Sequence, residues 1–346
     1  MAENIDPFIS VVMAVLNGER YVSGALDSIL NQVYTNFEFI IINDGSSDST
    51  GNILKSCNDN RIKIINHETN RGLVYSLNEA IDLSKGKYIV RMDADDICHK
   101  NRITEQVTFM EANPSIGVCG TFYKGLGRFN SAVYDFPTTD REIRCMMIFN
   151  SPIAHPTAIL RKDVLTANKI HYSSSYKHAE DYKMWSLISE YSKLANLNKC
   201  LLYYRMHENQ VSVNQENKED KNKSVERIRC EQLNLINVHP SKEEFYLHSI
   251  ISNGTKLKNI EELSAAGNWL LKIREANNIS KILDTFYLDK ILTERWLRSC
   301  YVLFPGVKGF SLFLKSTIFA NVRFKVRIFY HLIISLLRAW KRKNLK

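Results

Sequence analysis

No stretch of this chain stays apolar for the roughly 18 to 20 residues needed to cross a bilayer. The seven cysteines, at positions 57, 98, 119, 145, 200, 230 and 300, include no C-x-x-C pair. Nothing therefore suggests a zinc site or a dithiol redox motif, and reduced thiols in a cytosol are expected. The opening MAENIDPFIS has neither the basic nor the apolar region of a signal peptide, which gives the same cytoplasmic expectation. Acidic residues are missing altogether from 301–346, a segment that carries ten Lys/Arg. The net charge of +9 thus sits at one end, because 36 basic residues face 37 acidic ones before position 301. That distribution argues against a diffuse cationic surface for nucleic acid. What is present, 346 residues with 45% hydrophobic and 24% charged content, suffices for a globular protein of one or two domains.

Residues 8–92 alternate between two periodicities. FISVVMAVL (8–16), FEFIII (37–42), RIKII (61–65) and KYIVRM (87–92) are short, strand-like apolar runs. Between them, Tyr21, Ala25, Ile29 and Leu30, then Ile53 and Leu54, then Leu73, Leu77, Ala80 and Ile81 recur at helical spacing, the last set closed by Gly86. Strand and helix in strict alternation predict a parallel α/β sheet, since parallel neighbours need crossover connections. Ligands of such sheets bind beyond the carboxyl ends of the strands. Asn17 and Glu19, Asn43 and Asp44, and Asp93, Asp95 and Asp96 follow three of those strands, so all should open onto one crevice. Farther on, a helix is expected at 101–112, strands at 116–123 and 156–160, and an amphipathic helix at 178–193 carrying Tyr182, Trp185 and Tyr191. Residues 214–223, NQENKEDKNK, contain no apolar side chain and read as a linker. Ser241 with Glu244 resembles a capping box, and the apolar positions that follow it predict a helical region to about 300.

The acidic run RMDADDI is the sharpest chemical signal. Carboxylates at a strand's end suit Mg²⁺ or Mn²⁺, hard cations that take oxygen ligands, although x-D-x-D alone also suits a solvated turn. NDGSSD (43–48) reads as a tight turn with a helix cap, or as a turn in which Asp44 accepts a hydrogen bond from a ligand such as a uracil N3–H. Glu180 and Asp181 open a helix, where acids ordinarily complement the dipole. His155 before Pro156 is read as structural, and Trp185 as core.

Taken in order, ISVVMAVLNGERY, FEFIIINDGSSDST, NRGLVYSLNEAI, GKYIVRMDADDI, SPIAHPTAILRKDVL, HAEDYKMW and YYRMHENQVS resemble the family 2 glycosyltransferases of GT-A fold, over residues 8–213. The fold class this implies is α/β, a Rossmann-like, mostly parallel sheet flanked by helices, here followed by a mainly helical C-terminal region. By the same resemblance, Ala14, Val15 and Glu19 line a nucleoside pocket and Asp44 holds uracil. Asp93 and Asp95 match D-x-D, with Asp95 the direct metal ligand and Asp93 serving ribose or metal. Asp96 is left to support the turn. Asp181 matches the catalytic base and Glu180 supports the acceptor. Arg71, Arg205 and His207 lie in segments that approach the diphosphate. Many relatives carry proline at the position of Ala14, a departure in local backbone only.

The resemblance implies an inverting, Mn²⁺- or Mg²⁺-dependent transfer of a hexose or N-acetylhexosamine from a UDP-sugar to a saccharide acceptor on a polyprenyl diphosphate, in polysaccharide or O-antigen synthesis. The expected organisation is a catalytic domain at 1–213, a linker at 214–224, a helical domain at 225–300 and a basic amphipathic tail at 301–346. In the tail, VRFKVRIF (322–329) alternates like a strand, yet Ile328, Phe329, Leu332, Ile333, Leu336, Leu337 and Trp340 form one helical stripe. That stripe suits docking on an anionic membrane surface or, alternatively, capping of the helical domain or a dimer contact. The expected location is therefore the inner face of the cell membrane, held peripherally. A haloacid-dehalogenase-type phosphatase would place its D-x-D after the first strand, whereas here it follows the fourth. A nucleotidylyltransferase would need a glycine-rich basic first loop, where LNGERY has one glycine. A non-enzymatic membrane-binding protein would account for the tail alone.

Overall fold

The computed structural model describes residues 6–127, 132–207, 218–305 and 307–314. Two compact units make up the chain. One is built from residues up to Asp140 together with Ser151–Val225, the other from Arg141–Asn150 together with the chain from Glu226 onward.

The first unit begins with the expected alternation: β1 (Ile9–Val15), α1 (Val22–Leu30), β2 (Phe37–Asn43), α2 (Thr50–Ser56), β3 (Ile62–Asn66), α3 (Leu73–Leu83) and β4 (Tyr88–Asp93). It continues with β5 (Ile97–Cys98), α4 (Arg102–Ala112), β6 (Ile116–Gly127), β7 (Val133–Tyr134) and α5 (Asp140–Met147), the last of which runs into the second unit. A 3-10 turn at His155–Thr157 leads into β8 (Ile159–Arg161), then α6 (Lys162–Ala167), α7 (Glu180–Ile188) and β9 (Lys193–Met206). The sheet order is β3-β2-β1-β4-β8-β6-β9-β5, with β7 paired to β6. The β1–β2, β1–β4 and β2–β3 pairs are parallel, as the alternation requires. Beyond β4 the sheet is mixed: β8 is antiparallel to both β4 and β6, and β5 to β9, while β6 and β9 are parallel. Antiparallel neighbours need no crossover helix, which is why the chain after residue 100 lacks the regular alternation. The helix expected at 178–193 is shorter because its last residue already begins β9.

One face of the sheet, carrying Val11, Met13, Phe39, Ile41, Tyr88, Val90 and Met92, is buried with Ala25 and Ile29 of α1 and Ile103 and Val107 of α4. Strand period two turns Arg91 and Asp93 to the opposite face. The registers pair Val15 with Asn43 and Ala14 with Asp93, so the first, second and fourth strands end at one edge.

Gly86 is not the stop of α3, which ends at Leu83 with Ser84 as its C-cap. It permits close approach to β1: its N–H donates to Ser10 Oγ at 2.8 Å, and a Cβ there would lie 2.3 Å from the Ser10 nitrogen and 2.5 Å from the Ile9 carbonyl carbon. Backbone cannot yield as a side-chain tip can, so Gly86→Ala is expected to destabilise the unit by about 1–3 kcal/mol. Urea denaturation checks this, and an unchanged midpoint would show that the two segments can separate without cost.

In the second unit, α8 (Lys218–Leu235, belonging to it from Glu226), α9 (Lys242–Asn253), α10 (Ile260–Ser280), α11 (Thr285–Leu303) and α12 (Val307–Leu314) follow one another. Their core gathers Trp269, Leu270, Ile273, Leu292 and Trp296 around Cys145, Ile148 and Phe149, contributed by the 141–150 segment. The capping box is present: Ser241 Oγ accepts the Glu244 N–H at 3.2 Å and the Glu244 carboxylate accepts the Ser241 N–H at 2.8 Å. Of the polar run at 214–223, residues 218–223 form the first turns of α8. Residues 214–217 and the tail from 315 lie outside the described residues. No helix among the described residues is long and apolar enough to cross a membrane.

Candidate active site

At the shared edge, Asp44 follows β2 directly and is only 3% exposed. Its Oδ1 accepts the Arg71 N–H at 2.9 Å and faces His67 Nδ1 at 2.7 Å, while Oδ2 accepts the Gly72 N–H at 2.9 Å. Burial pushes this carboxyl up, but the hydrogen bonds from Arg71, His67 and Gly72 outweigh it and hold Asp44 below its ordinary value. Gly72 sits at φ +91°, a region that glycine enters freely, and so turns its N–H toward the carboxylate. Arg71 stacks its guanidinium 3.3 Å over the Tyr75 ring. The loop after β1 is tied to the loop after β2, with the Glu19 carboxylate accepting the Ser49 N–H at 2.9 Å and the Glu19 N–H donating to Asp48 at 3.1 Å. Glu19 thus links the two loops at the ends of β1 and β2.

The acidic cluster stands on the same edge. One oxygen each from Asp93, Asp95 and Asp96 lie within 4.8 Å of one another. The three differ in surroundings. Asp93 is ion-paired with the buried Arg91 guanidinium. Asp95 faces His207 Nε2 at 2.9 Å, and its carbonyl accepts from Arg205 Nε at 2.8 Å. Asp96 is fully buried: Oδ1 accepts the Arg205 N–H at 2.9 Å, and Oδ2 has no hydrogen-bond partner among the described residues. Burial, then repulsion from Asp93 and Asp95, pushes the Asp96 carboxyl well above its ordinary value. A buried oxygen without a donor, beside two further carboxylates, fits a hard divalent cation. Tyr21, just after the β1 loop, packs between Arg205, 4.7 Å from its ring centre, and His207, at 4.9 Å. Arg205 and His207 therefore stand at the acidic wall, whereas Arg71 stands on the Asp44 side.

Glu180 and Asp181 open α7. Burial, then the Asp181 charge, pushes Glu180 up to about 7. Burial also raises Asp181, against the Tyr182 N–H, which donates to it at 2.7 Å. The Ser151 hydroxyl is 3.5 Å from the Asp181 carboxylate. Trp185, fully buried, donates from its indole to the Ile153 carbonyl at 3.1 Å and belongs to the core.

Two groups that motif reading passed over join these clusters. Arg91 is 3% exposed, and its charge acts on Asp93, Asp96, Glu180 and Asp181. A guanidinium in the middle of an apolar strand was the available signal. Tyr172, 5% exposed, feels Asp181, Glu180 and Asp93, and its hydroxyl meets His155 Nε2 at 2.8 Å. Burial, then Arg91, drives the His155 imidazole well below its ordinary value, so it stays neutral and orients Tyr172. Behind them Arg102, fully buried, donates from Nη2 to the Arg91 carbonyl at 2.8 Å and from Nε to Gln106 at 3.0 Å. The third residue sequence reading missed is His67; a lone histidine in a polar turn gives no motif.

The family model "Glycosyl transferase family 2" matches residues 10–173, a span that includes Asp44 and the acidic cluster. An uncharacterized glycosyltransferase of Haemophilus influenzae is 33% identical over 299 residues, which cover 83% of this chain and 86% of that protein. A relative from Escherichia coli, the UDP-Glc:alpha-D-GlcNAc-diphosphoundecaprenol beta-1,3-glucosyltransferase WfaP, is 30% identical over 207 residues, covering 60% of this chain and 80% of the relative. Among solved structures, S. aureus TarS 1-349 in complex with UDP-GlcNAc superposes with a TM-score of 0.58 at 20% identity, covering 84% of this chain and 86% of that one. With strands that end together at Asp44 and Asp93, and relatives matched over most of their length, the chain belongs to glycosyl transferase family 2 and has the GT-A fold.

Proposed function

We propose that the protein moves a hexose or N-acetylhexosamine from a UDP-sugar to a hydroxyl of a lipid-diphosphate-linked saccharide, with inversion at the anomeric carbon, so that an α-linked donor gives a β-glycoside. The observation that carries this reading is that one buried guanidinium, Arg91, acts on carboxylates of both acidic groups, Asp93 and Asp96 on one side and Glu180 and Asp181 on the other. Asp44 accepts the uracil N3–H, and Ala14, Val15 and Glu19 shape the nucleoside floor. Asp181 takes the proton of the attacking hydroxyl, and Glu180 and Tyr172 border the acceptor. Asp95 and Asp96, with Asp93, would hold Mn²⁺ or Mg²⁺, which supplies Lewis-acid neutralisation of the departing diphosphate. Arg205 and His207 add positive charge on that side. The acceptor class is inferred from the activity of the relative WfaP, and peripheral docking on the cytoplasmic membrane face would bring the enzyme to such an acceptor.

A UDP-release screen tests the proposal. UDP-glucose, UDP-galactose, UDP-GlcNAc and UDP-GalNAc are offered with Mn²⁺, with and without a lipid-diphosphate sugar. Acceptor-stimulated UDP release from one donor is the expected outcome. Pyrophosphate release instead would indicate a nucleotidylyltransferase, and inorganic phosphate a phosphatase; either would displace the reading.

A further inference from the structure

The base-binding wall contains a charge relay that the proposed chemistry does not use. His67, at the end of β3, has a side chain only 7% exposed and lies between two carboxylates. Nδ1 is 2.7 Å from Asp44 Oδ1, and Nε2 is 2.6 Å from Glu79 Oε2 on α3. An ionised carboxylate only accepts hydrogen bonds, whereas a neutral imidazole has one donor and one lone pair. A neutral His67 would therefore aim its lone pair at one of the two carboxylates, at hydrogen-bonding distance. Only the imidazolium donates to both.

What surrounds His67 agrees with a cation. Asp44 comes from the loop after β2 and Glu79 from α3, and Tyr75 of α3 meets the imidazole edge-on at 5.7 Å. The nearby guanidinium of Arg71 is occupied over the Tyr75 ring. Burial disfavours the charge, but Asp44 and Glu79 together more than offset it and raise His67 above its ordinary 6.5. The consequence falls on Asp44. Of about four acceptor positions on a carboxylate, His67, Arg71 N–H and Gly72 N–H fill three. The Ser76 hydroxyl also acts on this carboxyl, so a uracil N3–H would take the remaining position in competition with it.

We infer that His67, held as an imidazolium between Asp44 and Glu79, is a positioning residue that keeps Asp44 aimed at the nucleobase, and that its deprotonation loosens nucleotide binding. This rests on the UDP-sugar reading above. The sign follows from the direction of the shift. The ion pair is complete below the ordinary histidine value and is lost as pH rises through the higher value in the folded protein. Binding should therefore weaken toward alkaline pH, in a window that opens above 6.5.

The test measures UDP affinity of the full chain by calorimetry with Mg²⁺ at about pH 7 and about pH 8.5, where the uracil N3–H is still largely protonated, alongside ¹⁵N spectra of the histidines without nucleotide. In the parent, affinity should fall about tenfold between the two, the worth of one charge-assisted hydrogen bond. His67→Gln should bind as weakly at the lower pH as the parent does at the higher and lose most of the step, with the loss in donor KM rather than kcat. Glu79→Gln, at a partly exposed helix position, should move the imidazolium signal and the affinity step to lower pH together, and it keeps the test decisive where His67→Gln does not fold. A His67→Gln protein that binds like the parent at both values, or a single-tautomer neutral His67 at about pH 7, overturns the inference. A parent that binds no UDP overturns the donor reading and with it the role in binding, while the spectra still report whether the ion pair exists.

Discussion

Asp181→Asn is expected to lower turnover at least about a hundredfold while leaving UDP affinity within about twofold of the parent, since positioned general bases contribute about 10² to 10⁴. The choice between the two acids rests on their surroundings. Glu180, 9% exposed and pushed up to about 7, is protonated in much of the population near neutrality and cannot serve as the standing base. Asp181 is raised less, receives the Tyr182 N–H and faces the Ser151 hydroxyl. Burial still raises it above its ordinary 3.8, so the acid limb of the kcat/KM profile should lie above the ordinary carboxylate range, with activity rising as pH rises through it. A raised carboxyl makes the folded state bind its proton more tightly than the unfolded chain, so stability falls as pH rises from 4.5 toward 7 through Glu180. Asp181→Asn removes the neighbouring charge and should hold or raise the melting temperature. Lost turnover with intact melting would assign the loss to chemistry, whereas near-parental turnover would remove Asp181 from the role.

The legible parts of this molecule were those where one physical signal dominates. β1 to β4 are short apolar runs between polar turns, and their expected limits fall within about two residues of the structure, as boundaries of strong segments do. β9 was not legible. Its KLANLNKCLLYYRM alternates poorly, and it joins β6 with register shifts at Thr121 and Phe122. The start of α8 was hidden because KEDKNKS has no apolar residue to set a period, and the segment 141–150, distant in sequence from the helices whose core it shares, carries no mark of that partnership. For the site, motif order located the acidic run and its neighbours, but motif order is silent about counter-charges. Arg91, His67 and Tyr172 matter because of which carboxylates they face, and pairing across β2, α3 and α7 is decided only when the chain folds.

Asp95→Ala should reduce activity at least about a thousandfold and abolish stimulation by Mn²⁺, because charge neutralisation of the kind a bound cation supplies amounts to several kcal/mol. EDTA should silence the parent equally, and full activity of the parent in EDTA would remove the metal from the scheme. The three aspartates should not fail alike. Asp93→Asn leaves the 3%-exposed Arg91 without its anionic partner, so its main loss should be stability, on the order of 3–5 kcal/mol for an orphaned buried charge. Asp96→Asn copies the protonated form that burial and the neighbouring carboxylates already favour, so the fold should persist while Mn²⁺ affinity falls. Asp95 is different again: its carboxylate is partly exposed, at 28%, and held only by His207 among the described side chains that reach it, so its removal should cost little stability. Melting curves combined with Mn²⁺ titration therefore separate the three, and equal loss of Mn²⁺ affinity with unchanged melting in all of them would mean that Arg91 has no dependence on Asp93.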